Sequence, residues 1–372
     1  MKIGMFGLWG MNVPGIAFGG FETVYSEIGA RLADLGYDVV IYCRRERYPK
    51  NLRVGHHRGV RLKYVSSIDT KNLSAISATW IAVVDSLIHE NLDAHLFVNV
   101  GMGFHCCALK IFRKRVVLNV DGLDWQRGKW NWIAKSYFWL AAHVSVRSCD
   151  EIIADSQAMQ KYYHDKFGRL PRYLSYGAHI IKSLGPEIIK EYGVEARRYF
   201  LIVSRFVPEN NLHILIKAFE NVTTDFKLVI VGGTNHPTDY EEELRSHRSN
   251  RIIFAGYISN RSLLDELFCN CYAYLHGHSV GGTNPALLDA LGAGCCILAV
   301  DNHFNAEVLD SGRFGILFSP DINSAVIAMQ EIIEKPEYAA KLREGARNRI
   351  RETYNWDRIL NEYDYLLKTI KR

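Results

Sequence analysis

The stretch Ser279-Val-Gly-Gly-Thr-Asn-Pro-Ala-Leu-Leu-Asp-Ala-Leu-Gly-Ala-Gly294 joins an apolar, strand-like run, Cys271 to Leu275, to a helical pattern. Asn284 is a suitable N-cap, and Pro285 suits the first helical position, where a missing N–H costs nothing. Gly281 and Gly282 leave the backbone bare just before that helix. Backbone N–H groups and the positive end of a helix dipole together make an anion site, usually for phosphate. A strand, a glycine turn and a capped helix at the C-terminal side of a sheet is where an open α/β fold binds its ligand. A tight turn without a ligand is the alternative reading. A second glycine turn in the other half of the chain weighs against it.

The pattern around these turns alternates between strand and helix. In the first half, Lys2–Phe6, Asp38–Cys43, Val60–Val65, His95–Val100, Arg115–Val120 and Glu151–Ala154 read as strands. Phe21–Leu35 (closed by Gly36), Leu73–His89, Trp132–Ser148 and Gln157–Phe167 read as helices. After an irregular region near 176–198 the alternation restarts. Strands are expected at Phe200–Val203, Phe226–Val231, Ile252–Phe254, Tyr272–Leu275, Cys296–Val300 and Gly315–Phe318. Between them lie helices at Leu212–Asn221, Asp239–Ser246, Leu263–Asn270, Pro285–Leu291 and Asn305–Leu309, and a terminal helical run spans Ile322–Ile370. Repeated βα units imply parallel sheets covered on both faces. The expected fold class is α/β, with two doubly wound, Rossmann-like domains. The expected division is 1–180, 181–355 and a last helix, 356–372, that crosses back to the N-terminal domain.

At 372 residues two domains are the prior, and the composition, 48% hydrophobic and 23% charged, is that of a soluble globular protein. No run of about 18 or more apolar residues is present, so no membrane span is expected. The start of the chain lacks the pattern of a signal peptide. The eight cysteines fall mostly in apolar runs without CxxC or Cys/His spacing, which points to reduced, buried thiols and a cytoplasmic setting. Charge is uneven: residues 1–180 carry 23 Lys and Arg against 15 Asp and Glu, and residues 181–372 carry 22 against 25. One half is thus expected to face something anionic: nucleic acid, a membrane surface or a phosphorylated acceptor.

The second glycine turn, Gly19-Gly20, sits between the first strand and the first helix, inside Pro14-Gly-Ile-Ala-Phe-Gly-Gly-Phe-Glu-Thr23. It is neither a GxGxxG nor a P-loop, so a dinucleotide dehydrogenase and a P-loop ATPase both lose ground. Two glycine-flanked helix starts suit a nucleotide-diphosphate donor. The order GGFET, DGLDW (121–125), SRFVPENN (204–211) and GHSVGGTNPALLDALGAG (277–294) resembles the family-4 retaining glycosyltransferases of GT-B fold. Within them it is most similar to bacterial rhamnosyltransferases that build polysaccharides on polyprenyl diphosphates. The resemblance covers nearly the whole chain.

That resemblance implies a donor site. Arg205 matches the arginine on the donor diphosphate, and an Arg fork suits phosphate. Gly19, Gly20, Gly282, Thr283 and Asn284 supply the turns. The chain departs from the family at three places. Asn210 stands where many relatives have a second cation, a lysine. Asp289 stands where relatives have the glutamate that holds the donor ribose, and Gly281 where they have a glutamate that touches the transferred sugar. The last two departures suit a deoxyribose-containing donor, dTDP-L-rhamnose. Asp289 as a solvent-facing helix residue is the alternative.

On the acceptor side, Asp121 falls where relatives carry a histidine near the reacting centre. It is expected to act as general base or to orient the acceptor, with a turn cap as the plainer alternative. Glu22, beside Gly19-Gly20, is the second candidate carboxylate, or a first-turn residue favoured by the helix dipole. Phe21, Asp124, Trp125, Arg127 and Lys129 are expected on the acceptor and membrane side. Trp125, Trp132 and Trp139 recur every seven residues with Arg127, Lys129 and Lys135 between them, and with Lys110, Arg113, Lys114, Arg115 and the Arg44–Arg47 cluster they suit an interface rich in anionic lipid, although at least half of such tryptophans are expected in the core. The resemblance implies no metal and no cofactor beyond the nucleotide-sugar co-substrate, and a lipid-linked saccharide acceptor at the cytoplasmic membrane face. A UDP- or GDP-sugar donor is the nearest alternative. A non-enzymatic sugar-nucleotide or nucleic-acid binder is the alternative from another class, and nucleic acid is disfavoured because no basic, aromatic strand platform is legible.

Overall fold

A computed structural model of the chain describes all residues except 17–18, 71–72, 121, 129, 235–237 and 372. The chain divides into two compact units, Met1–Tyr176 with Asp357–Arg372, and Gly177–Trp356.

The first unit runs β1 (Lys2–Phe6), α1 (Gly20–Asp34), β2 (Asp38–Arg44), β3 (His56–His57), β4 (Val60–Val65), α2 (Ser74–His89) and β5 (Ala94–Val98). It continues with α3 (Gly103–Ile111), β6 (Val116–Asn119), α4 (Trp132–Ser148), β7 (Glu151–Ala154), α5 (Gln157–Phe167) and β8 (Arg172–Tyr173). Among the described residues its eight strands lie in the order β3-β4-β2-β1-β5-β6-β7-β8. All pairs are parallel except the β3–β4 hairpin. β5 is buried along its whole length, as a strand covered on both faces must be. It stops at Val98 and not at Val100, because Asn99 turns to φ +74° and accepts the Gly101 N–H at 2.8 Å. Helix α3 was not legible in the sequence. It opens on Gly103, where a Cβ would lie 2.2 Å from the Ala141 carbonyl, so α3 and α4 meet backbone to backbone.

The second unit runs β9 (Tyr199–Val203), α6 (Leu212–Asn221), β10 (Lys227–Val231), α7 (Asp239–Ser246), β11 (Ile252–Gly256), α8 (Arg261–Asn270) and β12 (Ala273–His276). Then follow α9 (Pro285–Ala293), β13 (Ile297–Val300), α10 (His303–Val308), β14 (Ile316–Phe318), α11 (Ile322–Glu334) and α12 (Pro336–Glu352). The sheet order is β11-β10-β9-β12-β13-β14, parallel throughout. Its core packs Phe200, Leu215, Phe219 and Leu228 with Leu298 and Met329, all buried.

The terminal run forms three helices, α11 and α12 being separate where one continuous helical run was expected. Pro336 starts α12 after a break at Lys335, since proline is tolerated at a helix start and not inside. A second break precedes α13 (Trp356–Lys371). In the first unit the Tyr37 hydroxyl donates to Asp364 of α13 at 2.6 Å.

Candidate functional site

In the second unit the strand order reverses between β9 and β12. Loops after such strands diverge and leave a crevice, which is where open α/β sheets hold ligands. The two segments singled out in the sequence, 204–211 and 277–284, are the loops after β9 and β12. They are tied together. The Asn211 amide donates to the Gly277 carbonyl at 2.9 Å, and Ser279 donates to the Glu209 carbonyl from both its N–H (3.0 Å) and its hydroxyl (2.8 Å). A Cβ at Gly277 would lie 2.2 Å from the Asn210 carbonyl, so only glycine allows this approach. From the other side, the Asn302 and Asn305 amides donate to the His278 carbonyl at 2.9 and 3.0 Å.

Within this frame the predicted donor residues of the second unit have definite places. Arg205 is exposed on the loop after β9. Asn210 is buried, and its amide donates to the Ser204 hydroxyl (2.8 Å) and the Arg205 carbonyl (2.9 Å). It therefore braces the turn that carries Arg205. Asn284 caps α9 by accepting the Ala286 N–H at 2.9 Å, and Pro285 takes the first helical position. Gly282 is half-buried and Thr283 buried. Gly281 has φ +132°, a conformation L-residues avoid, and a Cβ there meets no atom within 4 Å beyond its chain neighbours. The loss of an acid at 281 thus goes with a backbone suited to glycine and with open space.

Asp289 is not a solvent-facing helix residue. Its carboxylate accepts from Arg261 of α8 at 2.9 Å, and Arg261 also pairs with Asp265 at 2.7 Å. Partial desolvation opposes the charge on Arg261, whose side chain stays 46% exposed, and the two carboxylates outweigh it and raise its pKa. Burial also raises the pKa of Asp265, helped by Asp289 and opposed by Arg261. The sequence reading passed over Arg261. A basic residue at the start of a helix carries no signal until α8 and α9 are seen side by side.

Beneath the loop, the Tyr274 hydroxyl lies 3.2 Å from Nδ1 of His276, whose ring stacks on His278 at 4.3 Å. Burial pushes the His276 pKa down to about 3. Tyr274, His276 and His278 thus form an aromatic column at the end of β12.

In the first unit, β1 has β2 on one side and β5 on the other, and the loop after β1 leads into the Gly19 turn. Gly19 is the N-cap of α1 and Gly20 its first residue. Phe21 and Glu22 follow in the first turn, Phe21 with its ring 6.4 Å from that of Tyr25. Glu22 is buried and accepts the Trp9 N–H at 3.1 Å. Ser26 accepts the Asn12 N–H at 2.9 Å, and the Tyr48 hydroxyl donates to the Met11 carbonyl at 2.6 Å. Burial pushes the Arg44 guanidinium down to about 10, against the pull of Glu22 and Glu46. Glu22 thus organises the loop after β1.

Asp124 is buried, accepts from the Asn99 amide at 2.6 Å and pairs with Arg127 at 3.2 Å. It fastens the loop after β6 to the end of β5. Trp125 is half-buried, its ring 5.5 Å from Trp139 and 6.2 Å from Phe167. The seven-residue tryptophan repeat is therefore not one exposed row: Trp125 and Trp139 pack around Phe167, and Trp132 is 76% exposed. Asp121 and Lys129 lie outside the described residues. Among the described residues no group of three His, Cys, Asp or Glu side chains could hold a metal ion, and the eight cysteines are free.

Residues 186–349, the part of the chain that carries the β9 and β12 loops, match the family described as glycosyl transferases group 1. Residues 6–179 match a family described as a domain of unknown function (DUF1972). An uncharacterized glycosyltransferase of Methanocaldococcus jannaschii is 22% identical over 388 residues, covering 97% of each chain. Among solved structures, sucrose-phosphate synthase from Thermosynechococcus elongatus matches with a TM-score of 0.83 at 15% identity, over 99% of this chain and 98% of that one. HepE of Anabaena, in complex with UDP-glucose, matches with a TM-score of 0.80 at 18% identity, over 99% and 100%.

The chain is a glycosyltransferase of GT-B fold. This glycosyltransferase builds its glycine turn from the group 1 part of the chain, on the two strands where the sheet order reverses.

Proposed function

We propose that this glycosyltransferase moves L-rhamnose from dTDP-L-rhamnose to a polyprenyl-diphosphate-linked saccharide, with retention of configuration and without a metal ion. The observation that carries the reading is Gly281. It stands, with φ +132° and open space around it, immediately before a capped helix where the family it resembles has a sugar-binding acid. A sugar lacking the 6-hydroxyl needs one acceptor group fewer. Asp289, a carboxylate already engaged by Arg261, is a weaker ribose partner than a free glutamate and fits a deoxyribose.

In this mechanism Arg205 and the N-terminus of α9 take up the negative charge that grows on the leaving diphosphate. Asn210 keeps Arg205 in place and contributes no charge. The buried carboxylate of Glu22 is engaged by the Trp9 N–H, which leaves Asp121 as the base for the acceptor hydroxyl. The enzyme works as a peripheral protein on the cytoplasmic face of a membrane. No helix among the described residues is long and apolar enough to cross one.

A UDP-sugar donor is the second reading, supported by HepE, whose structure holds UDP-glucose on the same fold. Purified enzyme is incubated with a polyprenyl-diphosphate sugar and, in parallel, dTDP-L-rhamnose, UDP-glucose or a GDP-sugar, and products are weighed by mass spectrometry. A gain of one deoxyhexose with dTDP-L-rhamnose is expected. Product from a UDP-sugar alone overturns the rhamnosyl assignment.

A further inference from the structure

We infer that the outer faces of α2, α3 and α4 form one continuous docking surface for an anionic lipid bilayer. The inference deepens the lipid-linked-acceptor reading: of the tryptophan repeat it keeps Trp132, and it adds the exposed faces of α2 and α3.

The helices lie side by side, with the Trp80 ring 4.3 Å from His105 across α2 and α3, and the Phe104 ring 5.4 Å from Tyr137 across α3 and α4. On α2, Trp80, Ile81, Val84 and Ile88 are exposed. Their spacing places them on one stripe of about a quarter of the helix circumference. On α4, Trp132, Ile133 and Leu140 form a matching exposed stripe. Between them α3 runs out into Ile111 and Phe112, 77% and 60% exposed. Single exposed apolar residues are ordinary, but a patch drawn from three adjacent helices is not.

Charge selects the partner. Asp85 is the one acidic residue in the three helices, and it is bound by Lys63 and by the Tyr42 hydroxyl. Arg113, Lys114 and Arg115 directly follow Phe112, and Lys135 and Arg147 lie on α4. None of these five makes a salt bridge to a described residue. An exposed tryptophan, aliphatic side chains that enter the acyl boundary and cations not neutralised by a carboxylate together match an interface of negatively charged headgroups.

The test is co-sedimentation of the full chain with phosphatidylcholine vesicles, with and without phosphatidylglycerol. Strong partition to the anionic vesicles only is expected. Arg113→Gln with Lys114→Gln should lower that partition about 30-fold, since each basic residue at the surface contributes about a factor of five. Ile111→Ser with Phe112→Ser should lower it at least about tenfold. Both pairs are surface changes, and an unchanged circular-dichroism melt checks that they fold. No binding to anionic vesicles, or binding that neither pair alters, overturns the proposal. So does a sedimentation-equilibrium dimer that either pair dissociates, because the patch would then cover a second copy. An enzyme that binds vesicles but transfers no rhamnose leaves the surface standing and removes only the sugar assignment.

Discussion

Arg261 at the start of α8 holds the carboxylate of Asp289 on α9 at 2.9 Å, and so joins the helices that follow β11 and β12. The same guanidinium reaches Asp265 at 2.7 Å, which leaves one cation serving two acids. Arg261→Gln leaves both carboxylates uncompensated beside the proposed diphosphate site. Donor Kd is expected to rise about tenfold, as for the loss of one charged hydrogen bond. Isothermal titration with dTDP and UDP measures it. An unchanged Kd for both nucleotides removes Arg261 and Asp289 from the donor site.

The Asn210 amide braces Ser204 and the Arg205 carbonyl from a buried position. Asn210→Ala should cost about 1–3 kcal/mol of stability by leaving those groups unsatisfied. It should also weaken donor binding, because Arg205 loses its support. Arg205→Ala alone should raise donor Kd by about 10- to 100-fold with little change in melting temperature. If Arg205 acts through the braced turn, the two substitutions combine less than additively in a double-mutant cycle. Full additivity in donor Kd means that the brace does not serve Arg205.

Gly277 and Gly281 are glycines for different reasons, and alanine separates them. At Gly277 the obstacle is a backbone carbonyl 2.2 Å away, so the β9 and β12 loops must move apart. At Gly281 there is space, and the cost is the φ of +132°, about 1–3 kcal/mol. Gly277→Ala should therefore lower both the melting temperature and transfer rate strongly. Gly281→Ala should lower the melting temperature by a few degrees and change mainly the KM for donor. Chemical denaturation together with initial-rate kinetics distinguishes them; equal kinetic profiles contradict the assignment.

Stability should fall on mild acidification. Burial pushes His95 and His105 down to about 4 and His276 to about 3, whereas in the unfolded chain each takes a proton near pH 6.5. Between these values the unfolded state binds more protons than the native one, so stability decreases as pH drops from about 6.5 towards 4. Hydrogen bonding from Arg61 holds the Glu90 carboxyl well below the usual range despite its burial, and that contribution is lost below about pH 4.5, in the same direction. A melting temperature that stays flat from pH 7 to 4.5 contradicts this ionisation pattern.

The βα alternation was legible because apolar runs of four to six residues, set between amphipathic helices, can be buried only in a parallel sheet covered on both faces. Helix α3 escaped because Gly103–Ile111 is short and its first residue is a glycine chosen for contact with α4. Helices α11 and α12 fused in the sequence reading because periodicity persists across Pro336, which the fold uses as a start and not as an interior residue.

The sequence by itself determined the strand-turn-helix at 272–294, since the N-cap Asn284, Pro285 and the glycine pair act through local backbone geometry. It also determined that cationic Arg205 follows a buried strand. Only tertiary structure decided that Asn210 supports Arg205, that Arg261 neutralises Asp289, and that the exposed apolar face is drawn from α2, α3 and α4 and not from Trp125 and Trp139. Each of these depends on contacts between segments separated along the chain, and local propensity carries no information about which distant side chain fills a hydrogen bond or covers a ring.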